Sequence, residues 1–152
     1  HRITHMNPHG ALGNLASADP AIAGAVARAT MAFDPEIAFL VLPGSQLEQA
    51  ALDMGGHAVR LFLADRGYMP DGQLAPRSQT GAVIHEPAQV VARVLRVIRD
   101  REIDAVDGTV IQMPVQSILI HSDTDGAVDL ARRLRAGITQ AGGTIAPLSR
   151  HH

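Results

Sequence analysis

A chain of 152 residues, 46% of them hydrophobic, is long enough to bury the core of one ordinary domain. With no Trp, one Tyr and three Phe, that core must come from Ala, Val, Leu, Ile and Met. The absence of cysteine excludes disulfides and thiolate chemistry, and a formal net charge of −2 gives no electrostatic case for nucleic acid or an anionic membrane surface.

The chain alternates short apolar runs with helical patterns. "RITHM" (2–6) reads as a strand, and "NPHGALGN" (7–14) as the loop that follows it. Asp19 before Pro20 predicts a helix start, with Ile22, Val26, Ala29 and Phe33 on one face. "EIAFLVLP" is the continuous apolar run of a buried parallel strand. Ser45 with Glu48 forms a capping-box pattern, and Gly55-Gly56 ends that helix. "AVRLFLA" (58–64) is the next strand. From Asp65 to Glu86 the periodicity fails, and a loop of that length inside a domain is usually functional or disordered. Pro87 opens a helix with Val90, Val91, Val94 and Ile98 on one side, and Arg93, Arg96, Arg99 and Arg101 read as its solvated face. "VQSILI" (115–120) is a strand, "HSDTDG" a loop, and 126–140 a helix carrying Val128, Ala131, Leu134 and Ile138. "TIAPL" reads as a last short strand.

Strands alternating with helices predict a parallel α/β sheet, open or closed into a barrel, in a single domain over 1–152. In such folds the working residues sit at the C-terminal ends of strands. Three polar loops fall there. The first brings His9, a candidate general base, metal ligand or hydrogen-bond donor to substrate. His5 and His9 also spell H-x-x-x-H, but Pro8 disfavours a helix, so no metal site is expected from them. The long loop offers Asp65, Arg66, the lone Tyr68 and Arg77, and arginines there suit recognition of a carboxylate or phosphate. The third loop carries His121 and Asp123, and Asp123 reads equally well as a helix N-cap. All thirteen basic residues are arginine, so a G-x-x-x-x-G-K phosphate loop is excluded, and no nucleophile elbow or dinucleotide fingerprint is present. No apolar run is long enough to span a bilayer and no signal peptide opens the chain, which predicts a cytoplasmic protein.

"THMNPHGALGN", "FLADRGYMPDGQLAPRSQTGAVI" and "LIHSDTDGAVDLARRLR" together resemble successive blocks of the LamB/YcsF family, the A subunits of bacterial ATP-dependent 5-oxoprolinase. The resemblance implies a partial (β/α) barrel related to polysaccharide deacetylases. It implies cleavage of 5-oxo-L-proline to L-glutamate, coupled to ATP bound with the partner B and C subunits. It makes His9, Asp65, His121 and Asp123 candidates for catalysis, and Asn14, Arg66, Tyr68 and Arg77 candidates for substrate binding. The blocks depart from the family pattern at Asn7 (usually lysine), Gly13 (tyrosine), Leu61 (glutamate) and Ser122 (glycine). Family members also carry an N-terminal segment with D-L-N-x-D, C-G-F-H-x-G-D and G-A-H-P motifs that do not occur here. The chain, opening on His1, therefore reads as the C-terminal part of such a barrel. Exposed sheet edges would then favour self-association. Two other readings stay open: an inactive interaction module needing an N-terminal half, and a metal-dependent amide hydrolase or deacetylase.

Overall fold

The computed structural model describes residues 2–122 and 126–148. Its main sheet is parallel throughout. It contains β1 (His5–Met6), β2 (Ala38–Val41), β3 (Ala58–Leu63) and, after a long excursion, a fourth strand at Ser117–Leu119. Helices α1 (Gly10–Ala18) and α2 (Pro20–Phe33) connect β1 to β2, and α3 (Gln46–Asp53) connects β2 to β3. After β3 come the loop 64–86, α4 (Pro87–Asp100) and an antiparallel hairpin of β4 (Glu102–Asp104) and β5 (Val110–Gln112). The Ser117–Leu119 strand is β6, and α5 (Ala127–Gln140) follows it. The order is β1-β2-β3-β6, with Met6 beside Phe39, Val41 beside Arg60 and Leu63 beside Leu119. The result is the expected parallel-stranded half-barrel with helices between its strands.

Two apolar clusters hold the helices to this sheet. Ala16, Ala23, Ala27 and Ala51 let α1, α2 and α3 approach closely around Phe39, Val41 and Leu47. On the other side of β3, Phe62 and Tyr68 pack with Val90, Val94 and Val97 of α4, Ile103 and Met113 of the hairpin, and Leu134 of α5. Asp19 caps α2 as expected, its carboxylate accepting from the Ala21 and Ile22 N–H groups, and Ser45 accepts from Glu48 N–H at the start of α3.

Several expectations need correction. Residues 10–14 are not loop but the first turns of α1, a helix whose two glycines, asparagine and serine give little intrinsic propensity. Packing of Ala16 and Ser17 against its neighbours holds it instead. Gly13 is required there, since a Cβ would lie 2.5 Å from the Pro8 carbonyl oxygen. The buried stripe of α2 is Ala23 and Ala27, while Phe33 is 72% exposed. On α4 Val97 is buried and Ile98 faces outward, and on α5 Val128 is exposed. The hairpin is an addition to the expected elements, although Asp107-Gly108, with Gly108 at φ +87°, is the turn chemistry a hairpin uses. "TIAPL" forms no strand.

Candidate active site

Because all four strands of the main sheet run parallel, their C-terminal ends lie on one rim, and each of three strands delivers a polar residue there within a few positions of its end. His9 follows β1, Asp65 follows β3 and His121 follows β6. Strand pairing of β3 with β6 fixes the last two against each other: both Asp65 carboxylate oxygens lie 2.8–2.9 Å from His121 Nδ1. Both side chains are nearly buried, with 8% and 12% exposed. A carboxylate only accepts, so Nδ1 carries a proton, and in the neutral ring Nε2 keeps its lone pair. The His9 ring stands edge-on to His121, with centroids 6.5 Å apart. As the residue preceding α1, His9 makes no capping bond with its side chain, which instead lines the same cavity.

That cavity encloses about 130 Å³. It brings together His9, Asn14, Arg66, Arg77 and His121, with Leu42, Leu63 and Leu119 as apolar wall. Arg77 is exposed, with no ion-pair partner among the described residues, so its guanidinium is available to an anion. Asn14 reaches the cavity from α1 rather than from a loop. Asp123 lies outside the described residues.

Two expected ligands of substrate turn out to be engaged elsewhere. Tyr68 is fully buried; its ring stacks on Phe62 with centroids 5.6 Å apart, and its hydroxyl accepts from the Leu63 N–H at 2.9 Å. Burial pushes its phenol well above the usual tyrosine range. It is part of the core, not of the cavity lining. Arg66 does reach the cavity wall, but Nε donates to the Ala82 carbonyl at 2.9 Å and Nη2 to the Ala75 carbonyl at 2.7 Å. It folds the long loop back on itself. Burial first, then the nearby Arg77 cation, lower its pKa. Gly67 lets the loop close: a Cβ there would stand 2.2 Å from the Gly81 carbonyl oxygen. Asn7, unremarkable in the sequence except as a departure from a lysine, donates from Nδ2 to the Leu40 carbonyl at 3.0 Å and ties the first loop to β2.

The LamB/YcsF family model matches residues 1–152. The chain belongs to the LamB/YcsF family. Its curated relatives include several proteins named as 5-oxoprolinase A subunits. One from Ralstonia nicotianae is 47% identical over 97% of this chain and 57% of that protein. Another, from Pseudomonas syringae pv. tomato, is 42% identical over 98% and 58%. A third, from Agrobacterium fabrum, is 40% identical over 99% and 59%. Among solved structures, the lactam utilization protein from Thermus thermophilus superposes with a TM-score of 0.87 at 35% identity, over 95% of this chain and 57% of that one. The chain thus spans somewhat over half the length of these LamB/YcsF relatives.

The donor set bears on what this LamB/YcsF site can hold. Among the described residues no three His, Asp or Glu side chains converge as a metal site. The cavity lined by this chain is small, about 130 Å³, and Arg77 is an exposed cation on its wall. No helix among the described residues is long and apolar enough to cross a membrane.

Proposed function

We propose that this chain contributes the lactam-opening site of a 5-oxoprolinase, with Asp65 and His121 as its general base pair. The observation that carries the reading is the 2.8 Å contact between Asp65 and His121 Nδ1 at the rim of a small polar cavity. In this reading His121 Nε2 takes a proton from water as the oxygen attacks the lactam carbonyl carbon. The C–N bond then breaks, and the ring nitrogen leaves as the amine after receiving a proton from the imidazole face of the site, His121 or His9. Lactam and one water thereby give the open amino acid. Asp65 stabilises the imidazolium that forms in between and keeps the ring in one tautomer. Arg77 pairs with the substrate carboxylate, and Asn14 offers an amide to hydrogen-bond the ring.

The substrate class follows the names of relatives that this chain covers only in part; the coupling to ATP and the B and C partners follow from the sequence resemblance and belong to the proposal. ATP, bound with the partner subunits, would supply activation of the amide oxygen, with ADP and phosphate leaving as its products. The test is glutamate release from 5-oxo-L-proline by this chain with ATP and purified B and C subunits, beside Asp65→Asn and His121→Ala. Release that depends on the chain and falls by ~10²–10⁴ in either variant is the expected result. Release unaffected by omitting the chain, or undiminished in both variants, refutes the assignment.

A further inference from the structure

The arginines of α4 are not equivalent. Arg96 pairs with Asp104 at 2.5 Å and Arg99 with Asp100 at 2.6 Å, both at the surface. Arg93 has no carboxylate within ion-pairing distance among the described residues. It reaches over the Phe62 ring, 5.5 Å from its centroid, and its Nη1 donates to two backbone carbonyls, Ala64 at 3.1 Å and Arg66 at 2.9 Å. These are the residues on either side of Asp65. The carbonyl between them, that of Asp65 itself, accepts from the Ile84 N–H at 2.9 Å. Three consecutive peptide groups are therefore anchored, which leaves the backbone of Asp65 no freedom to rotate on either side. Burial lowers the pKa of Arg93, so a guanidinium is kept here at some electrostatic cost that two carbonyls partly offset.

We propose that Arg93 is a positioning residue for the Asp65–His121 pair: by gripping the carbonyls that flank Asp65 it fixes the carboxylate where it accepts from His121 Nδ1, and so keeps Nε2 free toward the cavity. The inference rests on the general-base reading given above. Loss of the grip releases the Ala64 carbonyl and with it the Ala64–Asp65 peptide plane, while the Asp65–Arg66 plane keeps its bonds to Ile84 and Leu63; a displacement of about 1 Å is enough to break a bond of this length. A purely structural role for Arg93 would lower the melting temperature and leave the imidazole tautomer unchanged, which separates the two.

The experiment reads the ring nitrogens of His121 by long-range ¹⁵N–¹H correlation at neutral pH, in the unsubstituted chain, Arg93→Met, Arg93→Lys and Asp65→Asn. The unsubstituted chain is expected to show one tautomer with Nδ1 protonated, and Asp65→Asn a mixture. Arg93→Met is expected to show a mixture too, and Arg93→Lys to restore part of the single form. In the reconstituted glutamate-release assay Arg93→Met is expected to lower kcat about ten- to a hundredfold with little change in KM. A change in Asp65→Asn without one in folded Arg93→Met overturns the role of Arg93 alone. No change in Asp65→Asn overturns the base pair itself. Should Arg93→Met fail to fold, the Arg93 guanidinium signals of the unsubstituted chain decide: distinct, slowly exchanging Nη protons support the grip, and one rotationally averaged signal refutes it.

Discussion

Asp65 and Tyr68 stand three residues apart in one loop and have opposite fates, because the chain turns between them. Asp65 faces the rim and meets His121, whereas Tyr68 turns under β3 and offers its oxygen to the Leu63 N–H. That hydroxyl is the acceptor for a buried strand-end donor, so Tyr68→Phe leaves the donor unpaired. Urea unfolding is expected to show a loss of about 1–3 kcal/mol, with the Asp65–His121 contact retained. Arg77 is the converse case, exposed and facing the cavity. Arg77→Ala is expected to leave the urea midpoint unchanged and to raise KM for the acid substrate at least tenfold, as loss of a charge-assisted pair of roughly 1.5–3 kcal/mol implies. An unchanged KM would remove Arg77 from the site.

At the scale of elements, the caps and the strand-end loops are readable from sequence and the packing is not. Asp19-Pro20, Ser45 with Glu48 and Glu86-Pro87 mark helix starts through local chemistry, so neighbouring residues alone reveal them. Helix α1 is hidden because its stability comes from tertiary burial of Ala16 and Ser17, which no local propensity reports. The stripe of α2 is legible in part: Ile22 and Val26 pack against the core as expected, but the fully buried residues are Ala23 and Ala27, and Phe33 is exposed. Arg93 is legible in principle. It lies three residues after Val90 and four before Val97, on the buried stripe of α4, where a long cation must have a specific partner. The three strand-end loops follow from their order along the chain, but which side chains within them face one another requires the β3–β6 register. Two substitutions test the element-level account. Asp19→Ala removes the acceptor for two first-turn N–H groups of α2 and is expected to destabilise by about 1 kcal/mol in denaturant unfolding. Gly67→Ala drives a methyl into the Gly81 carbonyl and is expected to lose about 1–3 kcal/mol and to loosen the loop, seen as faster amide exchange of Ala75 and Ala82.

For the whole molecule, the two cores meet at β3, which carries both Phe62 inward and Asp65 at its exit. Global stability and site geometry therefore share one strand. The raised pKa of Tyr68 links both to pH. The neutral phenol is favoured in the folded chain, so its contribution is fully present below the unfolded value of 10.0 and is lost as pH rises from there toward the higher folded value. Above about pH 10 the unfolding free energy is expected to fall by up to ~1.4 kcal/mol per pH unit from this group, and Tyr68→Phe is expected to remove that slope. Equal slopes in the two proteins would show that the phenol titrates alike in both states.

The position of β6 in the sheet has a consequence in time as well as in space. β1, β2 and β3 pair with their sequence neighbours, but β6 returns to β3 only after the long loop, α4 and the hairpin, so that Asp65 and His121 are 56 residues apart in the chain. Closing so distant a contact is slow compared with forming the local helices and the first three strands. The dyad therefore depends on a long-range pairing, whereas β1, β2 and β3 pair through neighbouring segments. Under the proposed reading, the Asp65–His121 pair is completed only when β6 docks on β3.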